Sequence, residues 1–303
     1  MKTAVVIVNA GSGDGHDDER VGRLTEIFAR AGATAEVHLA RSGGEIASLA
    51  HDALARRPDM IVAGGGDGTV SSVAAVLAGS DVPLGVLALG TLNHFAKDLG
   101  VPLEIEAAIE RIVRSEPVRV DVGEVNDRVF INNSSLGLYP DIVHDRERQR
   151  KRLGRGKWPA LVWASLAALR RFSFMNVRLS VDGRQRPRRT PFVFIGNNAY
   201  VMQGFAIGER IAIDRGQLSL YVVQRAGRLR LLQLALRALV GRLDQERDFE
   251  VTYTTDIVVE SRKKRLRVAT DGEITMMEPP LHYRIRPACL LVLGSDPARA
   301  ESA

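Results

Sequence analysis

The chain holds a single cysteine, Cys289, in 303 residues. That excludes an internal disulfide framework and any zinc cage built from cysteine thiolates, so Cys289 reads as core filler and the scarcity suits a reducing compartment. Aromatic residues make up only 5% of the chain. Single-stranded nucleic acid is bound by stacking bases on aromatic platforms set among cations, so nucleic acid is not an expected partner. The N-terminal apolar segment falls short of the about twenty residues of a membrane span. The opening MKTAVVIVNAGSGDG is broken by glycine too early for a signal peptide, and a cytoplasmic protein is expected.

What is present is an ordinary globular composition, with 45% hydrophobic and 26% charged residues. The length allows two domains with real cores. Lysine and arginine number 42 against 36 acids, a net charge of +6, which suits a phosphorylated ligand or an anionic membrane surface. Between residues 3 and 115, short β-branched runs alternate with longer amphipathic ones. TAVVIVN, TAEVHLA, DMIVAGG and PLGVLAL read as strands; Asp17–Ala31, Glu45–Arg56, Thr69–Ala78, Asn93–Leu99 and Ile105–Arg114 read as helices. Continuous apolar strands separated by helices predict a parallel sheet covered on both faces, with ligands at the carboxyl ends of the strands. After Pro117 strand-like runs come closely spaced. They begin with a hairpin turning at Asn126-Asp127 and continue at Asn176–Val181, Phe192–Asn197, Leu218–Val223, Phe249–Thr254, Ile257–Ser261, Leu266–Thr270 and Leu290–Leu293. This predicts a Rossmann-like α/β domain over 1–118 and a C-terminal β-sandwich over 119–295, followed by a tail at 296–303. The last strand is free to return to the first domain.

Four stretches carry chemistry. In IVAGGGDGTVSS, residues 61–72, Gly64, Gly65, Gly66 and Gly68 allow close backbone approach, and the helix opening near Thr69 supplies free N–H groups and the positive end of its dipole. This is a backbone-built anion site, and neither GxxxxGK[ST] nor GxGxxG is present. Asp67 would repel phosphates unless it shares a divalent cation with them or accepts a proton from a nucleophile, and either role points to phosphoryl transfer. A plain turn with an Asx cap is the alternative. LALGTLNHFAKDLGVP, residues 87–102, repeats the strand, loop and helix with Thr91 and Asn93 at the step, where plain helix caps are the alternative; VNAGSGDG, residues 8–15, places Asn9 and Gly13 on the same rim. Far away in sequence, RVATDGEITMMEPP at 267–280 turns at Asp271-Gly272 and presents Glu273. Asp271 and Glu273 are candidates for general base and metal partner, against a plain hairpin with an exposed glutamate.

Taken in this order, the four stretches resemble the diacylglycerol kinase catalytic-domain family, which includes bacterial soluble lipid kinases and is similar to sphingosine and ceramide kinases. The resemblance covers about Val5 to Leu293, and its specific parts are GGGDGTVSSVAAVL and LGVLALGTLNHFAKDLGVP. It implies an ATP-binding α/β domain and a sandwich that brings a hydroxyl lipid to the cleft, with Mg²⁺ as cofactor. On that pattern Gly65, Gly66, Asp67, Gly68 and Thr69 hold phosphates, while Asn9, Gly13, Ser42, Thr91 and Asn93 line the nucleotide pocket. Glu273 matches the proton acceptor of bacterial members, and Asp67 matches that of eukaryotic sphingosine kinases; both stay open. IDRGQLSL at 213–220 departs from the family pattern DDG.LD. Arg215 and Ser219 replace two aspartates, leaving Asp214 as the candidate for a metal position there.

Two basic, apolar stretches complete the reading: 146–172, with Trp158 and Trp163, and 225–245. Each is either an interfacial helix touching an anionic membrane or an ordinary helix packed on the sandwich. A peripherally membrane-associated kinase, with a homodimer as its candidate assembly, is the expectation. The competing readings are an NAD kinase-like phosphotransferase, which shares the GGDGT loop, and a non-catalytic lipid-binding protein of the same fold. An NAD-dependent dehydrogenase is disfavoured, since NAGSGDG lacks GxGxxG.

Overall fold

The computed structural model describes residues 1–12, 17–137, 174–201, 209–210, 212–223 and 249–294. The expectations for Gly13, for 146–172, for 225–245 and for the tail lie outside these residues.

The first third alternates strand and helix: β1 Lys2–Asn9, α1 Asp17–Ala31, β2 Ala33–Ala40, α2 Gly43–Arg56, β3 Met60–Gly65, α3 Asp67–Leu77, β4 Leu84–Ala88, α4 His94–Asp98 and α5 Ile105–Arg114. The strands pair in parallel in the order β2-β1-β3-β4. Val6, Ile7, Val8, Ile61, Val62 and Ala63 are sealed from solvent, as a sheet covered on both faces requires. Helix α1 lies beside α5, and α2 beside α3. Local signals set the helix ends: the Ser42 hydroxyl caps α2 by accepting from the Glu45 N–H at 3.2 Å, while the Glu45 carboxylate reaches back to the Arg41 N–H at 2.7 Å. Parallel strands point the same way, so the ends of β1, β3 and β4 share one rim.

The remainder is antiparallel apart from a parallel contact of its last strand with β4: β5 Val118–Val125, β6 Arg128–Phe130, β7 Asn133–Gly137, β8 Met175–Val181, β9 Arg184–Thr190, β10 Phe192–Asn197, β11 Tyr200–Val201, β12 Glu209–Arg210, β13 Leu218–Val223, β14 Phe249–Thr254, β15 Asp256–Ser261, β16 Leu266–Thr270, β17 Glu273–Met277 and β18 Leu281–Val292. One layer is the sheet β14-β13-β10-β7-β16-β17. The other is a continuation of the parallel sheet through β18, β15, β8 and β9, with β5 and β6 attached to β18. Between them lies a core that includes Phe130, Leu136, Val193, Ile195, Leu220, Val268, Ile257 and Tyr283. Three tight turns with two positive φ values each close hairpins: Asn126-Asp127 at 44° and 64°, Asp182-Gly183 at 49° and 73°, and Asp271-Gly272 at 48° and 85°.

The fold class is the one expected, with one difference in how the layers join. β18 begins at Leu281 instead of Leu290, and its far end pairs with β4 through Val292 and Leu84. Its first half alternates buried Leu281, Tyr283 and Ile285 with exposed His282 and Arg284, a half-buried strand whose charges hide it from a search for apolar runs. One strand therefore belongs to both halves of the molecule.

Candidate active site

The glycine loop is shaped by collisions it must avoid. A Cβ on Gly65 would strike the Thr69 side chain, and one on Gly90 would strike the Cα of Gly66, so the loops after β3 and β4 touch backbone to backbone. Leu89 N–H donates to the Gly65 carbonyl at 3.1 Å across the same junction. Gly66 occupies the N-cap of α3 and brings no side chain to it; its carbonyl accepts from the Thr69 and Val70 N–H groups at 3.0 and 3.2 Å, and the Asp67 and Gly68 N–H groups open the helix. Thr69 is buried and accepts from the Asn9 amide at 3.4 Å. Asn9 also accepts from the Gly11 N–H at 2.9 Å, tying the loop after β1 to the same rim.

Asp67 sits at the head of α3 and accepts from the Phe95 N–H of α4 through Oδ1 at 3.3 Å. It caps the first turn of the neighbouring helix, a service the N-cap residue Asn93 does not perform. Asn93 is buried with φ of 51°, accepts from Gly90 N–H at 3.0 Å and donates to the Gly90 and Ala88 carbonyls at 2.9 and 3.3 Å. Its amide fixes the loop around itself. Thr91 is exposed beside it, and Ser42 is exposed with its hydroxyl committed to the α2 cap.

From the opposite layer the β16–β17 hairpin reaches this rim. Asp271 accepts four hydrogen bonds: from the Ser71 hydroxyl of α3 at 2.6 Å, and from the N–H groups of Ile131, Asn132 and Asn133 at 2.8, 2.8 and 3.1 Å. Burial pushes its carboxyl above the ordinary aspartate value, and these donors pull the other way. With every acceptor direction occupied, Asp271 is a fastener between α3 and the hairpin. Glu273, one residue past the turn, has Oε1 facing Gly68, 3.9 Å from where a Cβ there would lie, and Oε2 paired to Arg128 at 2.7 Å.

The segment at 213–219 is held to β5 by hydrogen bonds. Asp121, buried on β5, accepts from Gly216 N–H at 2.6 Å, Asn198 Nδ2 at 3.1 Å and Ala288 N–H at 2.9 Å. Asp214 is exposed, and among the described residues no three or more His, Cys, Asp or Glu side chains gather to hold an ion. Two of the three donors share Asp121 Oδ2 and one reaches Oδ1, so this carboxylate is held by protein N–H groups while Asp214 stands apart from it on the surface.

Sequence reasoning passed over Arg128, Asp121 and Arg210. The signal for Asp121 was there, a lone carboxylate inside the apolar strand VRVDVGEV; nothing in NDRVF or GERI marks either arginine. On the outer side of the six-stranded sheet, opposite the core residues Val193, Ile195 and Leu220, Phe194 meets Tyr200 and Tyr221 edge to face at 5.3 and 5.7 Å. The Tyr200 hydroxyl donates to the Asn132 carbonyl at 2.9 Å, joining this aromatic patch to the segment that grips Asp271.

On this rim a glycine loop that opens a helix meets a carboxylate from the opposite layer. Residues 3–125 match the diacylglycerol kinase catalytic domain, and residues 141–294 match the YegS C-terminal NAD kinase beta sandwich-like domain. The chain belongs to this family of diacylglycerol and YegS-like lipid kinases. It is 28% identical over 288 residues to the diacylglycerol kinase of Bacillus subtilis, covering 92% of both chains. It is 29% identical over 278 residues to a probable YegS-like lipid kinase of Chromohalobacter salexigens, covering 90% of this chain and 85% of the relative. In three dimensions it is similar to a putative diacylglycerol kinase from Bacillus anthracis, with a TM-score of 0.75, 22% identity and 98% of both chains covered.

Proposed function

We propose that this chain transfers the γ-phosphate of ATP to a hydroxyl group of a membrane lipid of the diacylglycerol, ceramide or sphingoid type. The observation that carries the reading is the approach of Glu273 to Gly68, which sets a carboxylate against the anion loop from the opposite layer of the molecule. The phosphates lie along Gly65, Gly66, Gly68 and Thr69, where the N–H groups of Asp67 and Gly68 and the α3 dipole receive them; Asn9, Thr91 and Asn93 shape the pocket. Glu273 Oε1 takes the acceptor's hydroxyl proton while that oxygen attacks the γ-phosphorus, and the bond to the β,γ-bridging oxygen breaks to leave ADP. Asp67 is the less suitable base, since Oδ1 is already engaged by Phe95 N–H. Mg²⁺ favours one or two carboxylates together with substrate phosphates, and a lone Asp67 at the phosphate loop fits that demand; bound there, the ion would neutralise charge on the transferred group.

The test is transfer of labelled γ-phosphate from ATP to a panel of hydroxyl lipids in mixed micelles with Mg²⁺, with NAD as control acceptor because the C-terminal domain is NAD kinase-like. A phosphorylated lipid is expected, with Glu273→Gln lowering turnover by roughly 10²- to 10⁴-fold and Asp67→Asn raising the Mg²⁺ requirement. Phosphorylation of NAD alone, or a Glu273→Gln variant as active as wild type, overturns the reading. We place the enzyme in the cytoplasm, in peripheral contact with anionic membrane. No helix among the described residues is long and apolar enough to cross a bilayer, and the net charge of +6 favours an anionic surface. Failure to co-sediment with anionic vesicles at low salt would remove that part.

A further inference from the structure

Arg128 stands on the three-residue strand β6, directly after the Asn126-Asp127 turn, with its register to β5 fixed by Val125 opposite Arg128 and Glu124 opposite Val129. Its guanidinium forks across β17. Nη2 pairs with Glu273 Oε2 at 2.7 Å, and Nη1 donates to Thr275 Oγ1 at 2.8 Å. Glu273 and Thr275 are two residues apart, so both side chains stand on one side of the strand. A planar fork can hold both at once, which a lysine ammonium cannot do with the same geometry.

The pair is a poor candidate for a stability device. Side-chain exposures are 36% for Arg128 and 53% for Glu273, and ion pairs this open to water contribute little to folding. What the contact does is choose an oxygen. A glutamate on an open strand end has three rotatable bonds and samples many positions, whereas Oε2 tied to Arg128 leaves Oε1 as the free acceptor, turned toward Gly68.

We propose that Arg128 is the positioning residue for the proton acceptor, clamping one carboxylate oxygen of Glu273 so that the other faces the phosphate loop. This rests on the reading of Glu273 as the base. Displacing a reacting group by about 1 Å costs up to roughly 100-fold in rate, and loss of a clamp that leaves the acceptor present but mobile should fall short of that.

The experiment compares steady-state kinetics of wild type, Arg128→Gln, Arg128→Lys, Glu273→Gln and the Arg128→Gln/Glu273→Gln double variant, with thermal midpoints for each. Arg128→Gln is expected to lower kcat about tenfold, with KM for ATP and lipid within about twofold and the midpoint close to wild type. Arg128→Lys should recover part of the loss. The double variant should be no slower than Glu273→Gln alone, because a residue that acts only through Glu273 has nothing left to position. Wild-type kcat in Arg128→Gln overturns the proposal. So does a rise in KM at unchanged kcat, a double variant about tenfold slower than Glu273→Gln, or an Arg128→Gln protein that no longer folds. A Glu273→Gln enzyme with full activity refutes the underlying reading instead, and the two failures are told apart by that one variant.

Discussion

At the scale of single residues, the site is a set of side chains whose acceptors and donors are nearly all spent on one another, and this sorts positioning groups from reacting ones. Asp271 illustrates the first kind. Exchange of Asp271 for Asn would turn one of its two acceptor oxygens into an NH₂ group facing the Ser71 hydroxyl or a backbone N–H, leaving an enclosed donor without a partner. Such a loss costs about 1–3 kcal/mol, so Asp271→Asn should lower the denaturation midpoint and slow turnover by releasing the turn before Glu273. If Asp271→Asn keeps wild-type stability and loses only kcat, Asp271 is a reacting group and the assignment is wrong. Gly90 makes the complementary case. Its missing Cβ lets two loops meet at Gly66, and Gly90→Ala should push the loops apart and raise KM for ATP while leaving Glu273 untouched.

At the scale of elements, most of the N-terminal half was legible in the sequence because helix ends and apolar strands carry local signals. Asp17–Ala31 and Ile105–Arg114 fall on their expected limits, and the Asn126-Asp127 and Asp271-Gly272 turns are where the dipeptides place them. What escaped were elements whose pattern is set by neighbours. β9, RQRPRRT, puts arginines 184, 186 and 188 opposite the half-buried Val181 and the buried Leu179 and Val177 of β8, where Arg186 and Arg188 meet Glu250 at 3.6 and 2.6 Å. Inward charge and Pro187 protect an edge strand, but they hide it from any search for apolar alternation. In the site, the carboxylates were readable from their dipeptides, while Arg128 was not, since its role exists only once β17 lies beside it. Two element-scale predictions follow from local bonds. Ser42→Ala should cost about 1 kcal/mol by removing the α2 cap; an unchanged KM for ATP would show the hydroxyl to be a cap alone. The N–H and then the hydroxyl of Thr3 hold the Asp59 carboxyl below its usual 3.8, joining β1 to the turn before β3. A depressed carboxyl stabilises above its unfolded value, and that contribution is lost as pH falls through the folded one. Asp59→Asn should therefore flatten the fall in stability just below pH 4, read by denaturation at several pH values.

At the scale of the whole molecule, the two halves are joined by more than the shared strand β18. The Arg210 side chain is wholly buried, its Nε paired to Asp98 of α4 at 2.6 Å and Nη1 donating to the Ile131 carbonyl at 2.6 Å. Nη2 donates to Asn132 Oδ1 at 3.2 Å, and the rings of Phe95 and Tyr200 lie 5.6 and 6.0 Å from the guanidinium. This one residue links the helix capped by Asp67 to the segment that holds Asp271, so the path from the phosphate loop to the Glu273 hairpin closes on itself through Asp98 and Arg210. A buried ion pair gains little over a well-packed apolar pair, yet breaking one partner strands the other charge at about 3–5 kcal/mol. Arg210→Met should therefore destabilise by about that amount, whereas Arg210→Met with Asp98→Leu should recover most of the loss. If the clamp couples the halves, wild type unfolds in a single denaturant transition, and Arg210→Met alone separates it into two, followed by far- and near-ultraviolet circular dichroism. A cost under about 1 kcal/mol, with the single transition kept, would leave β18 as the element that holds the halves together.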